Sequence, residues 1–239
     1  MGRVFLVRHA QASFLEPDYD KLSATGDAQA RVLGEYWARH KVLFDRVSTG
    51  PRVRHRDSEK AVREIYTNHR LNFPPAEVFS EFDEFQGDVV LEKSLPHLCE
   101  TNSLISDLEA AVRNANSPPQ RRRNFQKLFE TVVTMWVGGE LKVDGVESWE
   151  TFTARVNRGL SQFLSAANKS ETCAIFTSGG PVAVSVQRAL HLSPQNTLQV
   201  AWMPRNCSYS EFLFSGDRFT LSTFNSFQHL DDPALLTYR

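Results

Sequence analysis

The chain has 239 residues, a formal net charge of −1 and a hydrophobic share of 41%, which suits one large α/β domain or two small ones. With that near-neutral balance nothing global argues for a nucleic-acid or acidic-membrane partner. The three cysteines, Cys99, Cys173 and Cys207, are too scattered for a disulfide framework or a zinc site and suit a reducing compartment. No stretch approaches the ~18 apolar residues needed to span a bilayer, so the expectation is a cytoplasmic protein, monomer or homodimer, with no nucleic-acid or membrane partner.

Val4, Phe5, Leu6 and Val7 form an apolar, β-prone run that ends abruptly in Arg8-His9. A buried strand ending this way puts a cation and an imidazole at the carboxyl edge of a sheet, where open α/β sheets bind ligands. A loop follows over 13–20. Ser23 is placed to cap a helix whose apolar face is read as Ala28, Val32, Tyr36 and Leu43, with Leu33 and Trp37 beside them. A short second strand over 46–49 ends in Ser48 and Thr49. Pro51 suits the first position of the next helix, from Arg52 to about His69, with Val53, Ala61, Val62 and Ile65 inward. Residues 77–80 are a candidate third strand.

The pattern then turns helical from 86 to 145 and reads as an insertion and a candidate lid, with Leu104, Leu108 and Ala111 at helical spacing. Ser117 and Gln120 have capping-box spacing, and Gly138-Gly139 ends the helix that follows. Arg121-Arg122-Arg123 reads as a solvated face, with substrate steering as the alternative. Ser148 caps an amphipathic helix that turns Trp149, Phe152, Val156, Leu160 and Phe163 inward. A buried strand over 172–177 runs into Ser178-Gly179-Gly180-Pro181, a tight turn opening a helix. Residues 208–214 and 219–224 read as a closing antiparallel hairpin. This order predicts an α/β sheet covered on both faces.

Three strand ends thus offer polar groups at one edge: Arg8 and His9; Ser48 and Thr49, with Arg54 a turn further on; and Ser178 with the glycine turn. Two arginines, a histidine and a helix start around one cavity would make a phosphate pocket. No His/Cys/Asp/Glu group has metal-ligand spacing, so neither metal nor cofactor is expected.

Several segments, in order, carry a resemblance. They are Leu6-Val7-Arg8-His9-Ala10, Leu22-Ser23-Ala24-Thr25-Gly26 with Gln29-Ala30, Ser48-Thr49-Gly50-Pro51-Arg52-Val53-Arg54, Gly145-Val146-Glu147-Ser148, and Gly179-Gly180. The sequence resembles the histidine phosphatase superfamily, the phosphoglycerate-mutase-like family. The resemblance implies a three-layer α/β/α sandwich around a mostly parallel sheet, as one domain over 1–239 with the helical insertion at 86–145. It implies a metal-independent phosphatase of a small phosphomonoester, with His9 as the nucleophile and Arg8, Arg54, Gln11, Ser178 and Gly179 around the phosphate. A carboxylic acid from the loop after the third strand would serve the leaving group: Glu84 is our choice, with Glu81 the competitor. The sequence departs from the family at Ser178, where a second histidine is usual, and at Ala10, where the family has glycine. His55 and His229 are candidates to fill the missing role, though each reads first as a structural histidine. Restoring the imidazole by Ser178→His is expected to raise turnover, provided Ala10 does not crowd it. The alternative is a catalytically degenerate phosphate- or phosphoprotein-binding module. A mutase is a weaker alternative.

Overall fold

Strand β1 (Gly2–Arg8) lies inside a six-stranded sheet ordered β3-β2-β4-β1-β5-β6 in a computed structural model of the chain, which describes residues 1–13, 20–168 and 170–238. The other strands are β2 (Arg46–Thr49), β3 (Ala76–Val78), β4 (Thr172–Thr177), β5 (Tyr209–Ser215) and β6 (Arg218–Ser226). β1, β2, β3 and β4 pair in parallel, and the closing hairpin of β5 and β6 runs antiparallel beside β1. The expected mostly parallel α/β architecture is present. Most of the loop expected over 13–20, including Leu15, Pro17 and Asp18, lies outside the described residues.

Alternation along the inner strands explains the layering. Phe5, Val7, Val47, Ala174 and Phe176 join one core with Ala30, Leu33 and Trp37 of helix α1 (Ala24–Arg39) and Ala61, Val62 and Tyr66 of helix α2 (Val53–Asn68). Their alternates Val4, Leu6, Cys173 and Ile175 are equally buried, so the other face is covered too. The buried stripe of α1 is rotated from the expected one. Ala28, Val32 and Tyr36 are only half-buried, and Leu43 lies past the helix end, half exposed. Gly34 accounts for part of this: a Cβ there would sit 3.0 Å from the Ile65 side chain, so α1 and α2 meet at close range.

Local chemistry sets most helix starts. Ser23, Ser117, Ser148 and Ser193 accept from the third N–H beyond themselves. The start of α2 differs from expectation. The helix begins at Val53 rather than at Pro51, because the Asp20 carboxylate accepts the Val53 N–H at 2.8 Å, and Val53 itself is exposed. Helix α7 (Gly179–Leu190) follows β4, and a helix not expected from the sequence, α8 (Pro194–Ala201), follows it.

The chain divides into two compact units, Met1–Glu84 with Thr153–Arg239, and Phe85–Phe152. The second holds α3 (Gly87–Thr101), α4 (Ser103–Arg113) and α5 (Pro118–Val137), with Phe85, Trp136, Trp149 and Phe152 in mutual ring contact. Ile105 is the buried anchor of α4, whereas Leu104 is exposed, as are Arg121, Arg122 and Arg123 of α5. Among the described residues no helix is long and apolar enough to cross a membrane.

Candidate active site

The end of β1 is held from several sides. His9 N–H donates to the Thr177 carbonyl at the end of β4 (2.7 Å), and Cys207 N–H donates to the His9 carbonyl (3.2 Å). Ala10 N–H donates to Ser58 Oγ on α2 (3.0 Å). The Ala10 methyl is fully buried in the core formed with α1 and α2. Gln11 accounts for the motif that follows. Its carbonyl accepts the Ser23 N–H, its N–H donates to Gln29 Oε1, and a Cβ at Gly26 would sit 2.1 Å from its carbonyl oxygen. Gln11 Oε1 in turn accepts from the Ser23 hydroxyl (2.9 Å), which fixes that end of its side chain toward α1.

The His9 ring is buried, and its Nδ1 lies 2.7 Å from its neighbour's carbonyl, that of Ala10. A proton on Nδ1 therefore leaves a lone pair on Nε2, and Arg54 Nε–H donates to it at 3.1 Å. Burial and the charges of Arg54 and Arg8 hold the imidazole well below its usual pKa, so His9 is neutral. Arg54 Nη1 also donates to Asp20 at 2.6 Å. Arg8 reaches the Pro204 carbonyl through Nη1.

Glu84 and Ser178 lie at the start of α7. Glu84 Oε2 accepts the Gly180 N–H at 3.1 Å, so the helix start that the sequence offered to phosphate holds this carboxylate. Gly179 adjoins it, and a Cβ there would lie 3.0 Å from the Ala201 carbonyl. Glu81 points elsewhere, with its carboxylate 3.9 Å from Arg158. Ser178 Oγ lies 2.7 Å from His55 Nε2, and the His55 ring centre is 5.7 Å from that of His9. His229 is stacked against Tyr209 and close to Tyr36. Arg8, His9, Arg54, Glu84, Ser178 and Gly179 thus gather where β1, β4 and α2 meet, while the Gln11 oxygen is turned to Ser23.

The family model of the histidine phosphatase superfamily (branch 1) matches residues 119–226. That span contains β4 and the Ser178–Gly180 turn but not the segments of His9 and Arg54. Among solved structures, a phosphoserine phosphatase mutant from Entamoeba histolytica in complex with phosphoserine superposes with a TM-score of 0.59 at 14% identity, covering 96% of this chain and 100% of that one. The α-ribazole phosphatase of Shigella flexneri gives a TM-score of 0.60 at 16% identity, with 94% and 96% covered. A phosphoglycerate mutase from Bacillus anthracis gives 0.60 at 13% identity, with 95% and 94% covered. The chain shares the fold of these two phosphatases and this mutase. No curated protein matches the sequence.

Three supports of the site escaped the sequence reading. Asp20 was passed over as loop, yet it pairs with Arg54 and caps α2. Arg52 pairs with Asp83 through Nε at 2.5 Å. Arg155 donates from Nη1 to the carbonyls of Ser80, Glu81 and Asp83, which clamps the turn that presents Glu84. None has a local signal, because each acts across 31 or more positions of chain.

Proposed function

We propose that the protein is a metal-independent phosphatase of small phosphomonoesters that works through a phosphohistidine at His9. The observation that carries this reading is the His9–Arg54 contact: a neutral imidazole with its Nε2 lone pair directed at a guanidinium. An arriving phosphate would take the Arg54 donors from His9 and Asp20, which frees Nε2 to attack phosphorus. Arg8 and Arg54 would hold the phosphoryl oxygens, since phosphoryl transfer depends chiefly on positioning and cationic stabilisation. Glu84, whose carboxylate would take up a proton as the phosphate dianion arrives beside it, would give that proton to the departing alcohol oxygen, and then take one from the water that releases phosphate from Nε2. Among the described residues no group of three or more His, Cys, Asp or Glu could hold a metal ion.

The comparisons support this reading at the level of phosphatase chemistry, since the similar structures include phosphatases of phosphoserine and α-ribazole phosphate. Turnover of an aryl phosphate, unchanged by EDTA and abolished in His9→Ala, is the expected result. Anion binding without turnover would instead identify a phosphate-binding module.

A further inference from the structure

One peptide unit links the active site to the outer edge of the sheet. Arg8 closes β1, and its Nη1 donates to the Pro204 carbonyl. Pro204 lies between α8 and β5, in a segment that wraps the end of β1. The Ser208 carbonyl accepts the Arg8 N–H at 3.0 Å. The His9 carbonyl accepts the Cys207 N–H at 3.2 Å and Asn206 Nδ2 at 3.5 Å.

The direction of the Pro204 carbonyl governs where the Arg8 guanidinium points. A peptide group is planar and trans, so the Pro204 C=O and the Arg205 N–H lie in one plane and point opposite ways. Whatever holds that N–H therefore aims the carbonyl. The holder is Asn225. Its Oδ1 accepts the Arg205 N–H at 2.9 Å, and its Nδ2 donates to the Met203 carbonyl at 3.1 Å. One side-chain amide thus grips the backbone on both sides of Pro204, which has no N–H of its own to anchor it. The Arg205 side chain lies over the rings of Phe227 and Tyr238.

Asn225 reaches this segment because it stands out of the ladder. Tyr209 pairs with Ser226 and Glu211 with Thr223, so Phe224 and Asn225 stand opposite Ser210 alone. That is a β-bulge, which bends a strand and re-aims a side chain. Asn225 takes φ +53° there, in the left-handed region that Asn visits more readily than most side chains. Its N–H donates to Ser210 Oγ at 3.1 Å.

We propose that Asn225 is a positioning residue: through the Pro204–Arg205 peptide it aims the Arg8 guanidinium at the phosphoryl group carried to His9. The inference rests on the phosphatase reading of His9 and Arg8. It gives the outermost strand, β6, a part in the reaction although no residue of the site lies on it.

The test measures kcat, KM, orthovanadate affinity and thermal unfolding for Asn225→Gly, Asn225→Asp, Arg8→Ala and Arg8→Ala/Asn225→Gly, with an aryl phosphate as substrate. Gly adopts the positive φ without strain, so Asn225→Gly removes the grip alone. It should lower kcat/KM about tenfold and weaken vanadate similarly, the cost of a misaimed guanidinium. Asn225→Asp keeps an oxygen for the Arg205 N–H and should recover most of the loss. In the Arg8→Ala background Asn225→Gly should cost nothing further, because no guanidinium is left to aim. The nitrogen-15 signals of the Arg8 guanidinium read the same point without turnover: restrained in the natural chain, mobile in Asn225→Gly. Equal losses in both backgrounds, an Asn225→Asp no better than Asn225→Gly, or unchanged Arg8 signals would overturn the proposal. Should Asn225→Gly fail to fold, Asn225→Ser takes its place with the same outcomes. If the natural chain turns over through His9 and Asn225→Gly is harmless, this inference fails while the phosphatase reading stands. If the natural chain neither turns over nor binds vanadate, both fail.

Discussion

Arg54 is shared between His9 Nε2 and Asp20, so an incoming phosphate competes with a carboxylate that already holds the guanidinium. Asp20→Asn should therefore tighten phosphate binding severalfold, measured by calorimetry, because the rival charge is gone while the Asn oxygen can still accept the Val53 N–H. Unchanged or weaker binding would mean that Asp20 orients Arg54 rather than competing for it. Gly50 is the other residue with a sharp requirement, since a Cβ there would lie 2.3 Å from His55 Nδ1. Gly50→Ala should displace the His55 ring and cost about 1–3 kcal/mol of stability by overpacking, read as a shift in the denaturant midpoint. The Arg8-His9 dipeptide, weak by itself at a strand end, was legible because the motifs that follow it in order gave it a role. Asp20 was not, since a single acid in a loop carries no sign of a partner 34 positions away.

At the scale of elements, the turn from β3 to Glu84 is fastened at its backbone by Arg155 and at Asp83 by Arg52. Arg155→Ala should lower kcat about tenfold through misplacement of Glu84, while phosphate affinity is nearly unchanged. Parallel kinetics and anion titration check it, and equal losses in both would show a general collapse of the site. The helix starts show where sequence reading succeeds and where it stops. Ser23, Ser117 and Ser148 cap as read, because a cap is made within three residues. The start of α2 depends on Asp20, a partner brought in by the fold, and so does not follow from Pro51. The stripe of α1 was misjudged because Gly34, the point of closest approach to α2, carries no apolar weight in a periodicity count.

For the molecule as a whole, the alternation of elements and the closing hairpin followed from strand and helix patterns, the order of strands in the sheet did not, and the ordered motifs pointed to the fold that the structural comparisons share. What was not legible is how position 178 is completed, because His55 reaches it from 123 residues away. The buried histidines also set the response to acid. His9 and His55 are held well below 6.5, and burial lowers His229 to about 4. In each case the unfolded chain binds the proton first, so stability is full above about pH 6.5 and is lost as the pH falls toward and through 4. His229 alone accounts for roughly 3 kcal/mol of that loss. Denaturant titrations at pH 7.5 and 4.5 should show the drop, and His229→Gln should shrink it.

The central claim is that the phosphoryl group passes through His9 Nε2, and rapid quenching during turnover tests it most directly. Base-stable, acid-labile phosphate should appear at up to one equivalent per chain, map to His9 by mass spectrometry, and vanish together with turnover in His9→Ala. Turnover that survives in His9→Ala, or an acid-stable phosphoryl group recovered on Ser178, would contradict the account.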